Sequence, residues 1–275
     1  MKLSISNIAW EKEEDSYVYS MMRKYGFLGL EIAPTRIFPE TPYDKLDEAI
    51  TWSTKLKEKY GLVVSSMQSI WYGRQEKIFG TEEERTILLR YTKKAIDFAT
   101  VIGCKNLVFG CPRNRILPDG INVKIAVPFF KELGDYAIKK GTVIGMEANP
   151  PIYNTNYIND TIAALELIRK VDSKGFLLNL DVGTMIQNQE DAEELLGQVK
   201  YINHVHISEP GLKMIQERAV HQVLKKLLMQ ENYSGFISIE MGKQDNIAVI
   251  ESAMQYISGI FNDEGSNIQQ NSESV

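Results

Sequence analysis

The chain has 275 residues, 44% hydrophobic and 24% charged, with a formal net charge of -5. It is long enough to bury a large core without disulfide or metal staples, and its acidic balance speaks against binding a nucleic-acid backbone. Cys104 and Cys111 are the only cysteines, so no disulfide framework is implied and a reducing, cytoplasmic setting fits. No apolar run is long enough for a membrane span, and the acidic N-terminal stretch lacks the apolar core of a signal peptide.

Short apolar runs alternate with helical patterns from end to end. Strands are predicted at Leu3–Ile8, Leu28–Ile32, Leu62–Met67, Asn106–Phe109, Val143–Met146, Leu177–Leu180, Ile202–Ile207 and Phe236–Ile239. These runs are rich in Ile, Val, Leu and Phe, as strands buried on both faces tend to be. Leu46, Ala49, Ile50, Leu56 and Tyr60 trace a helical stripe after the second strand. A capping box, Thr81 to Glu84, opens the helix after the third, and Ile87, Tyr91, Ala95, Phe98 and Ile102 continue it. Ile158, Ile162, Leu165 and Ile168 follow the fifth strand. Val220, Val223, Leu224, Leu227 and Leu228 precede the eighth, and Ile247, Ile250, Met254, Ile257 and Phe261 follow it. Gly26, Gly61, Gly103, Gly141 and Gly175 fall where left-handed helix C-caps are expected. Eight strand–helix units in register, with no Gly-x-Gly-x-x-Gly after any strand, favour a single (β/α)8 TIM barrel over an open doubly wound sheet. The barrel is expected over residues 1–262, and the polar stretch 263–275 is expected to be a disordered tail.

Active sites of such barrels lie at the C-terminal ends of the strands. Polar residues there include Glu147 on the fifth strand, Asp181 on the sixth, His204 and His206 on the seventh and Glu240 on the eighth. Any one acid could merely cap the next helix. Three carboxylates converging on one mouth would repel one another without a cation between them, and carboxylates plus an imidazole suit one divalent metal ion, Mn, Mg, Co or Zn.

Other rim residues are open to two readings. Trp10 and Trp71 follow the first and third strands, where an indole could stack on a sugar or simply pack. Glu31 and Gln68 divide evenly between substrate contact and structural hydrogen bonding. Arg113 and Arg115 after the fourth strand could hold an anion or sit in a solvated loop, and Asn149 could face a substrate. His221 lies in a helical stripe and reads as structural. Cys111 has no basic partner that would make it a nucleophile.

The sequence resembles the xylose-isomerase-like barrel superfamily, also labelled sugar phosphate isomerase/epimerase or "AP endonuclease family 2", over about residues 1–260. The carriers are Gly-Leu-Glu31, Gly-Met-Glu147-Ala-Asn149, Asp181-Val-Gly-Thr184, His204-Val-His206-Ile-Ser-Glu209 and Tyr-Ser-Gly-Phe-Ile-Ser-Ile-Glu240. The resemblance implies that Glu147, Asp181, His206 and Glu240 bind one divalent metal, with Glu147 and Glu240 doubling as acid/base groups. It implies an isomerase or epimerase of a small sugar or sugar phosphate, moving a proton through an enediolate. Substrate-binding candidates are Trp10, Glu31, Gln68, Trp71, Arg113, Arg115, Asn149 and Glu209. A lyase like inosose dehydratase is the alternative, and a metal-dependent endonuclease of the abasic-site type a distant third. Two departures stand out. Thr184 replaces a family histidine, and Leu212 stands where the ketohexose-epimerase branch has the arginine that accompanies its glutamate at position 209. The partner expected is a small carbohydrate rather than nucleic acid or membrane, and a homo-oligomer is compatible with the sequence.

Overall fold

The computed structural model describes residues 1–262; the stretch expected to be a disordered tail lies outside the described residues. Eight parallel strands, β1 (Lys2–Ser6), β2 (Phe27–Ile32), β3 (Val63–Met67), β4 (Leu107–Phe109), β5 (Ile144–Met146), β6 (Phe176–Asp181), β7 (Ile202–Ile207) and β8 (Phe236–Ile239), pair in sequence order and close on themselves. Closure is made where Lys2 to Ile5 of β1 pair with Phe236 to Ile239 of β8. This is the single (β/α)8 barrel expected. The main helices are α1 (Asp15–Lys24), α2 (Leu46–Tyr60), α3 (Glu82–Val101), α4 (Ala126–Lys139), α5 (Thr161–Val171), α6 (Val182–Asn188), α7 (Ala219–Gln230) and α8 (Ile247–Phe261). No helix among the described residues is long and apolar enough to cross a membrane.

The strands are not apolar on both faces. Leu3, Ile5, Leu30, Ile32, Val205, Ile207, Ile237 and Ile239 are buried in the hydrophobic core, where full burial of such a side chain contributes about 1.5–3 kcal/mol. Alternate positions carry Ser4, Ser6, Glu31, Asn179, His204, His206 and Ser238, all buried. Their hydrogen bonds cross the ring: Ser4 Oγ to Ser65 Oγ at 2.6 Å, Asn106 Nδ2 to Asn179 Oδ1 at 3.2 Å, His206 Nε2 to Glu31 Oε2 at 2.8 Å. The period-2 pleat therefore separates an apolar layer from a polar barrel interior. Register shifts fall between Leu30 and Glu31 and between Leu178 and Asn179, and such irregularities re-aim the side chains beside them.

The capping box on α3 forms as expected, Thr81 Oγ1 accepting from Glu84 N and Glu84 Oε2 from Thr81 N. Three stripe residues, Ile50, Ile162 and Val223, are instead exposed. In α2 the packed residues are Ala49 and Leu56, and Ile50 lies one helical step off that line. Ile158 is outside α5, which starts only where Asp160 caps it by accepting from Ala163 N. Gly26, Gly61, Gly103 and Gly141 take left-handed φ, but Gly175 does not. A Cβ at Gly175 would lie 2.0 Å from the Gly134 carbonyl oxygen. Its role is close backbone approach to α4, and Asp172 supplies the left-handed cap of α5.

Candidate metal centre and substrate cavity

Glu147, Asp181, His206 and Glu240 meet at the C-terminal mouth of the barrel, each offering one ligand atom, all within 4.8 Å of one another. Opposed ligands at 2.1–2.3 Å from a cation stand roughly 4.2–4.6 Å apart, so the spacing suits a single divalent ion. His206 Nδ1 lies 3.0 Å from Glu147 Oε1 and 3.2 Å from Glu240 Oε2. The backbone makes room for the cluster: a Cβ at Gly110 would lie 2.7 Å from Glu147 Oε2.

The electrostatics explain why a cation fits. Burial, with the Glu147 charge adding, pushes the Asp181 carboxyl up to about 6, against the pull of His206 and bonds from Ser208 and Thr184. Burial likewise pushes Glu240 up to about 7; His206 opposes the shift, while Glu147 and Asp181 add to it. Three acids so close resist ionising together, and a bound cation removes that penalty. Burial would lower His206, but the charges of Glu31 and Glu240 and hydrogen bonds with Glu147 and Glu240 hold it well above the ordinary imidazole range.

Three of the four side chains, Asp181, Glu147 and His206, are held from behind. Asp181 caps α6: its Oδ1 accepts from Thr184 N at 2.6 Å and its Oδ2 from Ser208 Oγ at 2.5 Å. Helix capping and convergence on the cluster thus coexist in one side chain. Thr184 turns its hydroxyl to the Ala148 carbonyl at 2.8 Å, tying α6 to the end of β5. Glu147 accepts from Asn179 Nδ2 at 3.0 Å on one oxygen and from Asn149 Nδ2 at 3.1 Å on the other. Glu31 sits beneath His206, fully buried. Burial alone would raise its carboxyl, but the His206 charge, the hydrogen bond from His206 and the nearby His204 hold it far below the usual carboxylate range. His204 Nε2 lies 3.3 Å from the same Glu31 oxygen without the alignment of a hydrogen bond, so His206 keeps the better contact.

A cavity of about 620 Å³ opens from the cluster toward the loops after β3 and β4. Of the sequence candidates, Gln68, Trp71, Arg113 and Asn149 line it together with Glu147, Asp181 and Glu240. Trp71 shows the cavity little surface, because its indole N–H donates to Thr92 Oγ1 at 2.8 Å and its ring packs on Phe109.

Four candidates belong elsewhere. Trp10 is buried against Tyr19, its indole N–H donating to Asp15, so it is not a wall of the cavity. Glu31 lies below the cavity, engaged with the histidines and Gln68. Arg115 is fully buried, donating to the Glu147 carbonyl at 2.8 Å, to Asn149 Oδ1 at 2.8 Å and to the Ile158 carbonyl at 3.3 Å. It fastens the β4 loop to the end of β5, and burial lowers its pKa to about 10. Glu209 is buried and paired with Arg218. His221 is buried as expected, Nδ1 2.9 Å from Tyr256 Oη, and burial pushes the Cys111 thiol up to about 12.

Sequence reasoning missed Asn179, Ser208, Lys77 and Tyr153. The first had a signal: a polar residue at the alternate position before Asp181 in an otherwise apolar strand.

Residues 20–259 match the family model of the xylose isomerase-like TIM barrel. No curated protein sequence matches significantly. Among solved structures, a 3-keto-D-glucoside 4-epimerase from E. coli superposes with a TM-score of 0.73 at 18% identity, covering 94% of this chain and 99% of that one. A D-psicose 3-epimerase from Clostridium cellulolyticum H10 gives 0.76 at 13% identity, covering 95% and 99%. A family 2 AP endonuclease from Brucella melitensis gives 0.70 at 16%, covering 94% and 99%. At these identities the likeness is one of fold.

Proposed function

The chain belongs to the xylose isomerase-like TIM barrel family, and from that premise we propose that it is a divalent-metal-dependent isomerase or epimerase of a small carbohydrate. The observation that carries this reading is the convergence of Glu147, Asp181, His206 and Glu240 at the floor of a cavity. Sugar epimerases among its structural neighbours support it.

Glu147, Asp181, His206 and Glu240 would hold the ion, which when bound supplies the positive charge that makes a C–H beside a sugar carbonyl more acidic. The chain's own groups divide the remaining work. Asp181 stands on β6, between the strands of Glu147 and Glu240, and is tied to α6 as its cap, which suits holding the ion. Glu147 and Glu240 come from β5 and β8 and both reach the cavity, so they can stand on different sides of a substrate. Glu147, an acceptor on each oxygen, serves as the base that takes the proton. Glu240, at the other end of the cluster, serves as the acid that returns one. Return to the opposite face of the same carbon epimerises; return to the neighbouring carbon isomerises. Asn149 and Gln68 at the cavity wall offer neutral hydrogen-bonding groups to sugar hydroxyls.

The test is incubation of the Mn²⁺-loaded protein with a panel of ketoses in deuterated water. Deuterium should appear on the carbon next to the carbonyl. Metal-loaded protein that labels none of them would overturn the reading, and a product lighter by one water would assign the site to a lyase.

A further inference from the structure

The cavity is one-sided. Beyond the acidic cluster most of its lining comes from the loops after β3 and β4; the β5 loop adds Asn149 and Tyr153, and the β7 loop Leu212. That β7 loop is pinned across the opposite side, with Gly211 N donating to Tyr153 Oη at 3.0 Å and Gly242 N to the Leu212 carbonyl at 2.8 Å. A substrate whose reacting carbons lie on Glu147 and Glu240 therefore extends toward the β3 and β4 loops.

Three cationic side chains wait there: Arg74, Lys77 and Arg113. Arg74 is neutralised by Glu76 and lies over the Tyr91 ring. The other two have no carboxylate in ion-pairing distance among the described residues. Lys77 Nζ donates to the Arg113 carbonyl at 2.6 Å, leaving two of its three protons free. The Arg113 guanidinium is exposed, with no protein partner among the described residues. In a chain of net charge -5, two uncompensated cations on one cavity wall call for an anion.

The wall is also rigid. Buried Asn114 zips the two loops together, its Nδ2 donating to the Arg74 carbonyl at 3.1 Å and the Glu76 carbonyl at 2.8 Å, while its own carbonyl accepts from Ile78 N at 2.9 Å. The Lys77–Arg113 contact belongs to the same zip. The two loops that carry Lys77 and Arg113 are thus joined before any ligand arrives, with Lys77 Nζ fixed on the Arg113 carbonyl, which lowers the ordering cost of binding one.

Resting on the carbohydrate reading above, we propose that Lys77 and Arg113 form an anion subsite, and that the substrate is a sugar bearing a phosphate or carboxylate at the end remote from the reacting carbonyl. Arg113 offers a planar fork that matches either oxyanion, and Lys77 adds a point charge.

The experiment is calorimetric titration of the Mn²⁺-loaded protein with three series: ketose phosphates, the matching free ketoses, and keto-sugar acids. The same series are then run on the Arg113→Gln and Lys77→Gln variants. Anionic sugars should bind at least about tenfold more tightly than their neutral counterparts, as hydrogen bonds to a charged group allow. The preference should shrink in each variant and weaken with added salt. Comparing the phosphate and carboxylate series identifies which anion the subsite takes. Equal affinity for neutral and anionic sugars would overturn the proposal. So would an anion preference that survives in both variants, since it would then come from the metal. Deuterium exchange separates the two claims: free ketoses that exchange without any anion preference leave the isomerase reading standing and remove only the subsite. Anion preference that is lost in the variants, without exchange in any sugar, would do the reverse.

Discussion

Replacing Glu31 by glutamine tests whether the polar barrel interior exists to aim a metal ligand. An ionised carboxylate has only acceptor sites, so Glu31 Oε2, 2.8 Å from His206 Nε2, keeps a proton on that nitrogen. Nδ1, the atom facing Glu147 and Glu240, is left to present a lone pair to a cation. Glutamine keeps the size but turns one acceptor into a donor. It can serve either His206 Nε2 or Gln68 Nε2, which now donates to Glu31 Oε1 at 3.2 Å, and leaves a donor facing a donor at the other. A hydrogen bond to a charged acceptor is worth about 1.5–3 kcal/mol. Loss of a partner behind a metal-ligating histidine typically weakens metal binding about 10–100-fold, or roughly 1.4–2.7 kcal/mol. The two magnitudes agree, and Glu31→Gln should fall in that range. Competition with a chelator for Co²⁺ gives the affinity, the visible spectrum of the Co²⁺ form reports the geometry, and a melt of the metal-free protein shows that the variant folds. Glu31→Asp keeps the charge one methylene too far away and should be intermediate. A folded Glu31→Gln protein with parental Co²⁺ affinity and spectrum would refute the orienting role.

Glu147→Gln and Glu240→Gln should each reduce solvent-deuterium exchange about 10²–10⁴-fold while the amide oxygen still ligates, so metal content and exchange are measured together; full occupancy with near-normal exchange would remove that glutamate from the acid/base pair. Gly175→Ala drives a Cβ into the Gly134 carbonyl and should cost about 1–3 kcal/mol or more, seen as a Tm several degrees lower by calorimetry; an unchanged Tm would show that the close approach to α4 is not needed. His221 is held neutral by burial, its pKa lowered from 6.5 to about 4, so the unfolded chain binds the extra proton between those values. Its contribution to stability is present above pH 6.5 and lost as pH falls through about 4, and His221→Gln should flatten the Tm-against-pH curve in that window relative to the parent.

The barrel was legible in the chain because its determinants are local. Apolar runs ended where the pleat met the rim, helical stripes lay between them, and Glu147, Asp181, His206 and Glu240 each closed a strand whose C-terminal end must face one mouth. Partnership was not legible, because it joins residues that no spacing relates. Glu31 finds His206 across the ring, 175 positions away. Arg115 and Arg113 sit two residues apart on one loop, yet one is sealed under β5 by two carbonyls and an amide while the other opens into the cavity. Glu209 meets Arg218 instead of a ligand, and Lys77 reaches the cavity from a different loop. Periodicity sets the face of an element on which a side chain stands. Which charge or carbonyl waits opposite is set by how the elements close around one another, and in a buried barrel interior that partner decides whether a polar group holds structure or holds substrate.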